Sequence, residues 1–191
     1  MSPSKKDTAQ INFATVDFSR VAIIGCPGSG KTTLSLTLSE ILNLPVTHLD
    51  KVLWEKNWQM LPFDEREKIH NQLIAGETWL IDGMWRSHLP SRFLRATVVI
   101  FLDYKRSVSF SRAVKRFFKF RNTQRQDIAE GCLEKLDGYF VKYIWTFRKK
   151  VRPEILELSA AHPEVQVIRL TSPKKTKQFV TQLQNYVKNV E

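Results

Sequence analysis

Residues Gly25-Cys26-Pro27-Gly28-Ser29-Gly30-Lys31-Thr32 match the spacing G-x-x-x-x-G-K-[ST] at every required position. An apolar run, 18–24 (FSRVAII), precedes them. Leu34, Leu38, Ile41 and Leu42 follow at helical spacing until Pro45 forbids continuation. Residues 18–43 therefore read as strand, loop and helix. Glycines let such a loop turn its backbone N–H groups into one concavity, which the N-terminus of the following helix completes as an anion site. Lys31 adds a mobile positive charge for terminal phosphates, and the Thr32 hydroxyl suits Mg²⁺. The candidate nucleotide-binding set is Gly25, Pro27, Gly28, Ser29, Gly30, Lys31, Thr32 and Thr33.

The remaining pattern extends this unit. Short apolar runs at 46–49, 79–81, 97–102 and 165–170 alternate with helical stripes. Asp64 with Glu67 forms a capping-box pattern, so a helix with Ile69 and Leu73 inward is expected from there to Gly76. Phe110, Val114, Phe117 and Phe118 predict one helix. Ile128, Cys132, Leu136, Phe140, Tyr143 and Phe147 predict one longer helix, and Pro153 suits a first turn. A last helix follows Pro173, with Phe179, Leu183 and Tyr186 inward. The fold class is α/β, with a five-stranded parallel sheet between helix layers. With 191 residues, 42% of them hydrophobic, the chain suits one core. The expected organisation is a flexible tail at 1–17 and a single domain at 18–191. Within it lie an acceptor-binding insert at 48–76 and a short lid at 116–127.

The tail lacks the apolar core of a secretory leader, and no run approaches the ~20 apolar residues of a membrane span. Cys26 and Cys132 show no metal-ligand spacing and read as free thiols. A cytoplasmic protein without a membrane partner is expected, and nothing specifies an oligomeric state. The net charge is +11, and fourteen Lys or Arg but only four acids lie between 105 and 152. Nucleic acid, a membrane surface, nucleotide phosphates or a plain solvated face each accounts for that excess.

Further acids and arginines narrow the chemistry. Asp82 closes an apolar strand, where a parallel sheet brings it beside the phosphate loop. There it can hold Mg²⁺ through water, or simply cap the turn with Gly83. Asp50 ends the second strand, placed to orient an acceptor hydroxyl or to serve as a turn residue. Arg112, Arg116 and Arg125 are candidate phosphate clamps, since guanidinium forks grip phosphate in two places, with Arg121 and Arg148 weaker. Trp54 and Trp58 read as packing or as a stacking surface, and His48 as structural. The guanine-specifying N-K-x-D pattern is absent.

These residues resemble the adenylate-kinase-like P-loop kinases, whose third strand ends D-G-F-P-R where this chain has Asp82-Gly83-Met84-Trp85-Arg86. Arg112 and Arg116 are similar to the arginine pair that opens their lid, and Arg125-Gln126-Asp127 to the R-x-D element that closes it. His48-Leu49-Asp50-Lys51, Trp54, Trp58 and 127–132 (DIAEGC) resemble the subfamily called topology-modulation proteins. The resemblance spans about 20–170 and implies a three-layer P-loop NTPase fold. It implies ATP and Mg²⁺ as cofactors, Asp82 and Thr32 serving the metal, and Arg86 gripping the acceptor's phosphate. The expected function is transfer of the γ-phosphoryl of Mg·ATP to a small acceptor, a nucleotide or nucleoside. The alternatives are a sugar-acid-type kinase and a nucleic-acid-binding ATPase or regulator, the last less favoured without a DNA-binding module.

Overall fold

Five of the six residues of β1 (Arg20–Gly25) are buried, and a strand with no wet face must lie in a sheet covered on both sides. The structure, a computed structural model, describes residues 11–190. After β1 come α1 (Lys31–Leu42), β2 (Val46–His48), α2 (Leu49–Val52), a small hairpin of β3 (Trp54–Glu55) and β4 (Gln59–Met60), and α3 (Phe63–Ala75). The chain continues through β5 (Trp79–Asp82), α4 (Leu89–Arg95), β6 (Val98–Leu102) and α5 (Arg106–Phe120). It ends with α6 (Gly138–Lys150), α7 (Arg152–Ala161), β7 (Gln166–Leu170) and α8 (Pro173–Val190).

The main sheet is parallel throughout, in the order β2-β5-β1-β6-β7. Alternation along each strand divides the interior into two cores. Val21 and Ile23 face a layer with Leu34, Leu38, Phe179 and Leu183. Ala22 and Ile24 face one with Phe93, Ile144, Phe147 and Ile155. The result is the expected three-layer α/β fold of P-loop NTPases.

Several local expectations are corrected. Residues 1–10 of the expected tail lie outside the described residues, but 11–17 are not loose. Phe13 is buried and its ring packs against Phe18, Phe179 and Tyr186. No capping box starts α3; it begins at Phe63 after Pro62, without a side-chain cap. On α5 the buried positions are Ser109 and Ala113, and Phe118 is 63% exposed. The single long helix from 128 does not form. Residues 121–137 are a loop, and α6 starts only where Asp137 caps it by accepting from Phe140 N at 2.8 Å. Ile128 and Cys132 turn instead toward Trp54 and Trp58 in a small cluster of their own. A tertiary partner took the apolar groups that local periodicity assigned to a helix face. The segment expected as a lid falls on the loop 121–137, since 116–120 is the last turn of α5. The short α4 went unread because Pro90 at its start resembles a turn.

His70 on α3 is completely buried, edge-on to Trp85 and His88 with ring centroids 5.5 and 4.8 Å away. Burial first, then the charges of Arg92 and His88, push its pKa from 6.5 down to about 3. The unfolded chain therefore binds a proton that the fold refuses. Stability is fully present above about 6.5 and is lost as pH falls toward 3. The urea midpoint of the wild type should accordingly fall more steeply than that of His70→Leu between about pH 7 and pH 4; parallel curves would contradict the assignment.

Candidate active site

The carboxyl ends of β1, β2 and β5 open onto a cleft of about 1270 Å³, more than the ~300–1,000 Å³ that one small ligand usually fills. On its floor the phosphate loop is shaped by close contact with α5. Gly28 has φ +78°, and a Cβ there would sit 2.2 Å from Ser109 O. Gly30 starts α1 with φ +97° and no side-chain cap, so the first-turn amides are left for a ligand. Ser29 Oγ is buried without a partner. These three features fit a chain of phosphates. Lys31 Nζ folds back to donate to Gly25 O at 3.1 Å and Cys26 O at 3.4 Å. The surrounding walls lower its pKa, opposed first by the charge of Asp50 and then by Asp82. Cys26, packed under the loop, is pushed up by burial to about 11, so its thiol is inert at neutral pH.

Asp82 is buried at the end of β5, paired in register with His48 and Ile23. Its Oδ2 accepts from Ser35 Oγ at 2.7 Å and meets His48 Nδ1 at 2.9 Å. The hydrogen bond to Asp82 raises the His48 pKa above its ordinary value. His48 thus orients the acid. Thr32 Oγ1 donates to Asp127 Oδ2 at 2.8 Å, which brings a lid carboxylate to the hydroxyl expected to serve Mg²⁺. Oxygen donors from Thr32, Asp82 and Asp127 are the set a hard cation prefers.

The three clamp candidates converge on this side of the cleft. Arg112 Nη1 donates to Ser29 O at 3.3 Å, its guanidinium 5.6 Å from the Tyr104 ring. Arg116 Nε pairs with Glu134 Oε1 at 3.0 Å. Arg125 forks onto both Asp127 and Glu134. Burial works against the charge of Asp127, but Arg125 outweighs it and holds the carboxyl below its ordinary value. Part of the basic excess between 105 and 152 is therefore used inside the cleft, and Arg152 is held by Asp103 at 2.9 Å. Among the described residues, α5 and α6 carry nine cations and no acid.

Across the cleft, Asp50 opens onto its water from the start of α2. Crowding by the cleft walls raises its pKa, Lys31 opposes this, and Asp82 adds to the rise. Arg86, expected as an acceptor ligand, lines the cleft but is ion-paired with Glu154 of α7. The sequence reading missed Arg66. It lies one turn into α3, lines the cleft over the rings of Trp85 (5.4 Å) and Phe63 (5.7 Å), and has no ion pair among the described residues. A cation two residues past Asp64 gave no signal, because the local pattern read as a helix start.

Behind this wall Arg92 is fully buried with no carboxylate against it. Its guanidinium donates to Gly83 O at 2.8 Å and Trp85 O at 2.7 Å. Burial lowers its pKa to about 9, and Asp82 works the other way. Arg92 thus pins the turn after β5 that presents Trp85 to the cleft. Arg92→Met strands the buried Gly83 carbonyl and leaves Trp85 O with only the His88 N–H, and should cost about 2 kcal/mol. Urea unfolding, with the near-UV tryptophan signal as a second readout, checks this; an unchanged midpoint would refute it.

A family model described as AAA domain matches residues 21–129. No curated protein matches the sequence. Among solved structures the fold is similar to a shikimate kinase from Bacteroides thetaiotaomicron, at 18% identity and TM-score 0.51, over 88% of this chain and 98% of that one. It is similar to a shikimate kinase from Acinetobacter baumannii in complex with shikimate, at 14% identity and TM-score 0.55, over 92% and 97%. A gluconokinase from Sinorhizobium meliloti 1021 aligns at 15% identity and TM-score 0.50, over 91% and 95%. At such identities these likenesses speak for the fold. The family match covers more than half of the sequence and takes in the phosphate loop, Asp82 and Asp127: the chain belongs to the AAA domain family.

Proposed function

We propose that this protein is an ATP-dependent phosphotransferase that moves the γ-phosphoryl of Mg·ATP onto a hydroxyl of a small acceptor. One observation carries the reading: Asp50 and the phosphate loop face the same cleft, each within reach of the other's charge. Residues 18–190 act as one catalytic unit, with the acceptor insert at 48–76 and the lid at 121–137. Among the described residues no helix is long and apolar enough to cross a membrane, and we place the protein in the cytoplasm.

In this scheme Gly28 to Thr33 hold the triphosphate by backbone amides, and Lys31 leaves its two carbonyls to meet the terminal phosphates. Mg²⁺, held by Thr32 and, through water, by Asp82, would neutralise charge on the phosphates. Asp50 orients the acceptor hydroxyl and takes its proton, a task that its raised pKa favours. Arg112, Arg116 and Arg125 neutralise charge on the transferred group. The lid keeps water from competing.

The acceptor is a small hydroxylated anion rather than a nucleotide. Trp54 and Trp58 are packed into the lid cluster and Trp85 stacks on His88 at 3.7 Å, so these three indoles are already engaged. Arg66 remains as a cation for one carboxylate or phosphate. The names of the structural neighbours, kinases of hydroxy acids, agree with this choice. The motif likeness to topology-modulation proteins is compatible with it, and a nucleoside monophosphate is the second acceptor to test.

A screen of ADP release over hydroxy acids, sugar acids, nucleosides and nucleotides should find one class that stimulates turnover. Lys31→Ala should lower kcat/KM by roughly 10²–10³-fold with the fold intact. Asp50→Asn should lower kcat, and Arg66→Ala should mainly raise the acceptor KM, by roughly tenfold. ATP binding without stimulation by any acceptor would refute the proposal.

A further inference from the structure

The lid and the β3–β4 hairpin belong to opposite sides of the cleft, yet they are stitched together. Cys132 is fully buried; its Sγ donates to Glu55 O at 3.0 Å and accepts from Trp58 N at 3.3 Å. Trp58 Nε1 donates to Leu133 O at 2.6 Å, and Asn57 N to Gly131 O at 3.3 Å. Around these bonds Ile128, Ala129 and Cys132 pack with Trp54 and Trp58 in a small cluster that touches one sheet core through Trp54. The two tryptophans meet edge-on at 5.6 Å. The hairpin tip pays for the fit in backbone strain: Asn57 and Trp58 both have φ +61°. A bulky residue keeps that conformation only where its surroundings over-determine it, and here the surroundings are the lid.

The same loop touches both reacting sides. Ala129 N donates to Asp50 O at 3.1 Å. Asp127 holds the Thr32 hydroxyl, and Asp127 and Glu134 hold the guanidinium groups of Arg125 and Arg116. These carboxylates occupy the partners that a nucleotide's phosphates and its metal would claim. Engaging a nucleotide must therefore rearrange the lid. The stitched cluster gives the hairpin and Asp50 no independent position.

We propose that Trp58 and Cys132 are positioning residues that join the lid to the acceptor side, so that nucleotide binding at the phosphate loop resets the hairpin and Asp50 as one unit with the lid. The inference deepens the functional reading above and rests on its nucleotide site, but it does not depend on which acceptor is used. It implies that the acceptor lobe takes its working shape only after the nucleotide is seated.

Peptide-resolved hydrogen exchange on the full chain, with and without Mg²⁺ and a non-hydrolysable ATP analogue, tests it. In the wild type, exchange should change by about tenfold in 25–33, in 121–137 and in the hairpin at 54–60 together. Two variants cut the link while leaving the nucleotide site alone. Trp58→Phe keeps a ring but loses the bond to Leu133. Gly131→Ala, at φ +75°, drives a Cβ to 2.9 Å from Lys56 Cγ and wedges the surfaces apart. In both, 25–33 and 121–137 should still respond, while 54–60 stays as in the free protein. A merely structural role would lower stability without separating the responses. A silent hairpin beside a responding phosphate loop in the wild type would overturn the proposal, as would a hairpin in both variants that responds as the wild type does. Silence in all three wild-type segments would overturn the nucleotide-site reading itself, and this inference with it.

Discussion

The phosphate loop holds its shape because another helix presses on it. Gly28 lies so close to the backbone of Ser109 that no side chain fits between them, and this contact fixes the loop to α5. The same helix carries Arg112 and Arg116 on its next turns. The shape of the glycine loop and the positions of Arg112 and Arg116 are therefore set by one packing decision. The parallel sheet does the rest by ending β1, β2 and β5 side by side, so that Gly25, His48 and Asp82 meet at one edge. Few residues are then needed to assemble a site, because the sheet has already paid the entropy of bringing them together.

Within that frame, charge is conserved by substitution. Most of the cations the chemistry needs are matched inside the cleft: Lys31 by carbonyls and the field of Asp50, Arg116 and Arg125 by Asp127 and Glu134, Arg86 by Glu154. Buried or half-buried charges without partners are costly, so a site built to neutralise phosphate must carry internal stand-ins for it. Arg66 breaks the pattern, resting on aromatic faces instead of a carboxylate. Arg112, on the Tyr104 ring and Ser29 O, is likewise without an ion pair among the described residues.

The glycine loop, its flanking strand and helix, and the strand-ending acids were legible because each rests on local chemistry: turn geometry, apolar periodicity, a carboxylate after a buried run. Arg112, Arg116 and Arg125 were legible as a series along the chain, although not as an ion-paired one. The segment 128–137 was misread because Ile128, Cys132 and Leu136 repeat at a helical interval, while the apolar surface that Ile128 and Cys132 meet belongs to the hairpin some seventy residues earlier in the chain. Arg66 and Arg92 gave no signal at all. One sits among the acids of a helix start, and the other is a buried guanidinium that periodicity counts as polar surface.

By itself, then, the order of residues determined that a strand must end in a phosphate cradle, that a parallel sheet must surround it, and that acids must stand at the neighbouring strand ends. Those consequences follow from backbone geometry and burial within short stretches. Only the tertiary structure decided which arginines are held by carboxylates, that Arg66 rests on aromatic rings instead, and that the loop 121–137 and the hairpin are joined. Such pairings are set by distances between segments far apart in the chain, where a few tenths of an ångström in packing choose one partner over another and no local pattern records the choice.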